Sequence, residues 1–122
     1  MEDVQVKTLC QIRDVYRSIA EFELSFQKRF DMCLNEGMLL CSLNEKTYSS
    51  SEIAEVLNLS NSNTSKVIKQ VEGKGLIKRI IGKEDKRQMY FTLTESGKKK
   101  LASIKCEKLQ IPDLLQTAIQ EI

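Results

Sequence analysis

The sequence predicts an α+β fold that is mainly α with one small β-hairpin wing. Three observations carry that expectation. Apolar residues recur at intervals of three and four through most of the chain, the period of a helix face. Two short apolar-rich runs, 76–81 and 88–93, flank the charged stretch that opens at Gly82, as the strands of a hairpin do. The text Ser49, Ser50, Ser51, Glu52 spells a capping box, and Asn58 follows where that helix must stop.

With 122 residues, 41% of them hydrophobic and 30% charged, the chain has the makings of one globular domain. No apolar run approaches the roughly 18 residues that span a bilayer. The start Met1, Glu2, Asp3 lacks the basic flank and apolar stretch of a signal peptide, so a cytoplasmic protein without a membrane partner is expected.

The absence of histidine removes every His-based catalytic arrangement, and the four cysteines, Cys10, Cys33, Cys41 and Cys106, contain no C-x-x-C pair. No metal, no cofactor and no enzymatic chemistry are expected. Each cysteine stands beside apolar residues, which suits a small buried hydrophobe in a reducing compartment.

The net charge of +2 hides an asymmetry. From Lys66 to Lys100 there are eleven Lys or Arg against four acidic residues, a balance of +7, while 1–65 balances at −4 and 101–122 at −1. A basic block inside a folded motif is the electrostatic footprint of a phosphate-binding surface.

In chain order, Leu9, Ile12, Tyr16, Ile19, Phe22, Phe26 and Phe30 make one stripe of a long helix from about Asp3 to Phe30. The stripe is too long for one short neighbour, so part of it is expected to pack on a second subunit. Asn35 suits the N-cap of a second helix carrying Leu39, Leu40 and Leu43 up to the turn at Asn44. Thr47 and Tyr48 suit a brief strand. A third helix starts at the capping box and ends near Asn58, a residue that tolerates the left-handed conformation.

Ser60 caps a fourth helix, Asn61 to about Glu72, with Thr64, Val67, Ile68 and Val71 on its inner face. Its other side carries Ser62, Lys66 and Lys69, flanked by Asn63, Ser65 and Gln70. This is the helix-turn-helix layout, with a small residue, Ala54, where the helices cross. Gly73 and Gly75 end the helix and the hairpin follows. Thr94 caps a further helix to about Lys108, with Lys98, Lys99 and Lys100 in its opening turns. Pro112 interrupts, and a last short helix runs from Asp113 to Ile122.

The text Ser50, Ser51, Glu52, Ile53, Ala54, then Val71 through Ile77 with Arg79, then Asp85, Lys86, Arg87, and finally Leu93 through Gly97 resembles the MarR family of bacterial regulators. The resemblance runs in register from about Leu34 to Leu101. It implies a single domain over 1–122, with a winged helix-turn-helix at about 34–94 and a helical dimerisation region from both termini, about 3–30 and 95–122. It also implies a homodimer whose recognition helices and wings face DNA. The part after the wing is short for the family.

A recognition helix reads the major groove with polar side chains at its N-terminus, since each base pair there shows a distinct donor and acceptor pattern. Asn61, Ser62, Asn63 and Lys66 are therefore expected at base edges, and Ser51, Ser65 and Lys69 at phosphates. Arg87 is the expected minor-groove probe, where a narrow groove focuses negative potential. Lys83 and Lys86 add phosphate attraction, and by the resemblance Asp85 orients Arg87. The expectation is a sequence-specific regulator of double-stranded DNA, binding a pseudopalindromic operator and acting as a repressor released by a small-molecule effector or an oxidant. The alternative is a winged helix used for protein contacts, against which stands the polar outer face of the fourth helix. For an oxidant, Cys10 is the first candidate, with Arg13 at i+3 in its favour and Asp14 at i+4 opposing.

Overall fold

The computed structural model describes residues 5–106 and 109–119. The chain divides into two units, one holding residues 5–31 and 109–119 and the other 32–106 of the described chain.

The first unit is built on helix α1 (Val6–Phe30), which packs with the short helix α6 (Asp113–Gln116). Gln5 is extended and caps α1, so the described helix begins at Val6; the expected start at Asp3 lies outside the described residues. At the far end Asp31 takes the left-handed conformation (φ 55°) and its N–H donates to the Gln27 carbonyl at 2.9 Å. Lys28 and Arg29 in the last turn complement the negative end of the helix dipole. The apolar stripe is present but unevenly covered. Phe26 and Phe30 are buried, their ring centroids 4.9 Å apart, whereas Leu9, Ile12, Tyr16 and Ile19 are exposed.

Helix α6 is shorter than the sequence suggests. Pro112 occupies its N-cap, and after Gln116 the chain relaxes into a turn closed by Ile119 N–H on the Leu115 carbonyl at 2.9 Å. Residues 120–122 of the expected helix lie outside the described residues, as do 107–108 of the helix expected to reach Lys108.

The second unit contains α2 (Leu34–Leu43), α3 (Ser50–Leu57), α4 (Asn61–Gly73), β1 (Ile77–Ile81), β2 (Met89–Leu93) and α5 (Glu95–Cys106). Helix α2 is capped by Cys33, not by Asn35. The Cys33 carbonyl already accepts from Gly37 N–H at 3.1 Å, which leaves Asn35 inside the first turn. Starting there brings Glu36, Leu39, Leu40 and Leu43 onto the buried side.

Strands β1 and β2 pair antiparallel with Ile77 opposite Leu93, Arg79 opposite Phe91 and Ile81 opposite Met89. The expected strand at Thr47–Tyr48 reduces to one bridge, in which Phe91 N–H donates to the Tyr48 carbonyl at 2.8 Å. Leu39, Leu40, Ile53, Val71 and Leu101 are almost wholly inaccessible and form the core of this unit with Phe91. Each such side chain contributes roughly 1.5–3 kcal/mol on removal from water. The outer end of the hairpin outruns the core, so Met89 is exposed while Phe91 and Leu93 are buried. Helix α5, expected to join the terminal helices, packs on α2 and β2 within this unit.

Cys10, Cys33 and Cys41 are not the buried hydrophobes that their neighbours in sequence suggest. Cys10 and Cys41 are exposed and Cys33 is half-buried, all three as free thiols; the side chain of Cys106 lies outside the described residues. An apolar neighbour in sequence does not bury a helical residue, because each step turns the side chain by about 100°. Leu39 and Leu40 point inward and Cys41 falls off their face.

Candidate nucleic-acid interface

The helix-turn-helix is set by short-range hydrogen bonds. Ser49 N–H donates to Glu52 Oε1 at 2.9 Å and Glu52 N–H donates to Ser49 Oγ at 3.3 Å, closing the capping box at the start of α3. Asn58 ends the helix in the left-handed conformation (φ 54°). Leu59 N–H reaches the Ala54 carbonyl at 2.9 Å and Asn58 N–H the Glu55 carbonyl at 3.2 Å, the paired bonds of a Schellman turn. Two residues on, Ser60 Oγ accepts from Asn63 N–H at 3.1 Å and α4 begins.

Burial then sorts the two faces of α4. Thr64, Val67, Ile68 and Val71 are buried as expected. Asn61, Ser62, Asn63, Ser65, Lys66 and Lys69 are all exposed, the first three in the turn at the positive end of the helix dipole. Ser51, in the first turn of α3, is exposed beside Ser49, with 3.3 Å between their hydroxyl oxygens. A groove of about 590 Å³ opens between α4 and the hairpin, with Ser50, Ser65 and Lys69 on one side and Arg79, Met89 and Phe91 on the other.

The hairpin tip is a tight, charged loop. Gly82 N–H donates to the Gln88 carbonyl at 2.9 Å, and Gln88 N–H to the Asp85 carbonyl at 3.0 Å. A Cβ on Gly82 would come within 2.7 Å of the Asp85 carbonyl oxygen, so this crossing requires glycine. Asp85 Oδ1 accepts from Arg87 N–H at 3.0 Å and from Arg87 Nε at 3.3 Å, while the Arg87 side chain stays 93% exposed. Lys83 and Lys86 are also exposed on this loop. Exposed cations and hydroxyls thus collect on α3, α4 and the hairpin, a chemistry suited to a polyanion.

Cys10 lies on α1, in the other unit. The Arg13 guanidinium, which sequence spacing offered to that thiol, is instead engaged by Asp14 at 3.1 Å. No group of three Cys, Asp or Glu among the described residues is gathered as a metal site. None of the described helices is long and apolar enough to cross a membrane.

Two polar ties escaped the sequence. Lys74 Nζ meets the buried Glu36 carboxylate at 2.7 Å, and Arg79 forms a two-point contact with Glu72 at 3.0 and 3.1 Å. The hydrogen bonds that Arg79 donates to Glu72, together with the charge of that carboxylate, raise the Arg79 pKa above its ordinary value, so the guanidinium stays charged at any working pH. Glu36 and Lys74 stand 38 residues apart, beyond any local pattern. Glu72 and Arg79 are seven apart but lie on α4 and β1, so no single-element periodicity pairs them.

Comparison with known proteins places this geometry. Residues 34–89 match the sequence model of the MarR family. The HTH-type transcriptional regulator YfiV of Bacillus subtilis is 35% identical over 78 residues, which are 63% of this chain and 49% of YfiV; the chain thus spans about half the length of that relative. BldR from Sulfolobus solfataricus superposes with a TM-score of 0.71 at 24% identity, covering 80% of this chain and 71% of BldR. AbsC, a MarR family regulator from Streptomyces coelicolor, gives 0.69 at 20% identity over 86% and 75% of the two chains. MepR of S. aureus in complex with DNA gives 0.61 at 23% identity over 77% and 78%. At these identities the likeness to solved structures is one of fold, mainly helical with a two-stranded wing. Over its winged helix-turn-helix, residues 34–89, the chain is similar to the MarR family.

Proposed function

We propose that the chain is a sequence-specific double-stranded DNA-binding transcriptional regulator, working in the cytoplasm as a two-fold homodimer on a pseudopalindromic operator. The observation that carries this is the sorting of α4, in which Thr64, Val67, Ile68 and Val71 are buried while Asn61, Ser62, Asn63, Ser65, Lys66 and Lys69 stand exposed, with Ser65 and Lys69 lining a groove shared with the hairpin. An α-helix fits the major groove, and an outer face of Asn, Ser and Lys offers the donors that base edges and phosphates accept. The MepR–DNA complex, a relative in fold, supports the same use of the motif.

In this reading Asn61, Ser62, Asn63 and Lys66 meet base edges, and Ser51, Ser65 and Lys69 hold phosphates. Arg87, steered by Asp85, enters the minor groove, and Lys83 and Lys86 strengthen the attraction. The exposed N-terminal half of the α1 stripe supports pairing with a second copy. The outcome is repression, relieved by a small-molecule effector or by an oxidant acting at Cys10.

Selection of bound duplexes from a random DNA pool tests the proposal. A palindromic consensus with half-sites about one helical turn, roughly 10 base pairs, apart is the expected result. Recovery of no consensus, with binding that vanishes in moderate salt, would remove it.

A further inference from the structure

The last turn of α4 and the residues that follow it, through Gly75, are tied to three other elements by side chains that play no part in the proposed contacts with DNA. Glu36 of α2, 5% exposed, meets Lys74, the C-cap of α4, at 2.7 Å. Glu72 holds Arg79 of β1 at 3.0 and 3.1 Å. Thr94, at the head of α5, donates from Oγ1 to the Gly75 carbonyl at 2.6 Å. The opposite end of α4, where Asn61, Ser62 and Asn63 stand exposed, is held by apolar packing and by its own cap.

Resting on the DNA-binding reading above, we propose that Glu36 is a positioning residue for sequence recognition: through Lys74 it pins the C-terminal end of α4 and so sets the angle at which the N-terminal end meets DNA. The geometry gives this contact leverage. Helix α4 has 13 residues. At 1.5 Å per residue a helix of that length is about 20 Å long, so a tilt of about 5° at the pinned end displaces the reading end by about 1.7 Å. Two-point hydrogen bonds to a base edge tolerate only about 0.5 Å of misplacement. Lysines on phosphates tolerate more, because a long flexible stem and a point charge follow the backbone. Loss of the pin therefore removes discrimination between sequences and spares general attraction to DNA.

The experiment measures, on the full chain at one salt concentration, the affinity for the selected duplex and for a scrambled duplex. Glu36→Met replaces the buried carboxylate with an apolar side chain of similar length and leaves Lys74, 36% exposed, able to reach water. Lys74→Met breaks the same contact from its accessible side, and serves should Glu36→Met fail to fold. The ratio of the two affinities is expected to fall about tenfold in each folded variant, with scrambled binding within about twofold of the parent. Partial unfolding lowers both affinities by one factor and leaves the ratio, so instability does not imitate the effect. An unchanged ratio in either variant whose circular dichroism and melting match those of the parent overturns the assignment of Glu36 while the DNA-binding reading stands. A parent protein with no preferred sequence overturns both.

Discussion

One carboxylate oxygen of Asp85 accepts from both the backbone N–H and the Nε of Arg87, at 3.0 and 3.3 Å. The contact sets the backbone at Arg87 and the root of its guanidinium while the rest of the side chain projects into solvent. Arg87→Ala is expected to weaken binding to the selected operator about tenfold, the loss of one well-placed groove contact. The melting temperature should not change, since the residue covers nothing. Asp85→Ala should fall between parent and Arg87→Ala, because the cation remains but is no longer steered. Titration by fluorescence anisotropy checks both, and full affinity in Arg87→Ala would mean that the wing stays out of the groove.

Lys69 is exposed on α4 and borders the groove facing the hairpin. A phosphate contact carries no sequence information, so Lys69→Ala should weaken selected and scrambled duplexes alike. It should also lower the slope of log affinity against log salt by about one unit. A changed consensus would reassign Lys69 to a base edge.

Ile12 and Ile19 lie on the stripe of α1 and are exposed in the single chain. Replacing both with glutamate is expected to convert a dimer to a monomer in sedimentation, with helical circular dichroism retained. A parent that sediments as a monomer at micromolar concentration would rule out the dimer.

Two glycines should respond to alanine with opposite sign. Gly73 ends α4 without a positive φ, and a Cβ added there would meet nothing within 4 Å, so Gly73→Ala should stabilise by about 0.4–1 kcal/mol. At Gly97, in the first turn of α5, a Cβ would collide with the Leu76 carbonyl oxygen. That contact is part of the close approach of α5 to the α4–β1 turn, where Thr94 N–H donates to the same carbonyl at 3.0 Å. Gly97→Ala should destabilise by about 1–3 kcal/mol despite the better helix propensity of alanine. Urea unfolding midpoints separate the two.

Cys10 is an exposed thiol. If oxidant release operates there, peroxide should free the parent protein from its operator and leave Cys10→Ser bound. Release that persists in Cys10→Ser excludes this thiol, and no release from the parent excludes the mechanism.

The features legible in the chain before folding are local in physical origin. The Ser49–Glu52 box, the left-handed Asn58, the Ser60 cap and the sorting of α4 depend on partners within a few residues, where chain connectivity dictates who can meet. The exposed Asn61, Lys66, Lys69 and Arg87 were legible for the same reason. Periodicity also established that 6–30 is a helix, but it could not apportion the stripe, since Phe26 is buried and Leu9 is exposed by what packs on each and not by their spacing. Packing between elements, by contrast, made Cys33 and not Asn35 open α2, turned Cys41 outward and brought Glu36 to Lys74. Those outcomes depend on which side of each helix faces another element, and that orientation is chosen by the burial of the whole unit, across separations at which no residue in the sequence signals its partner.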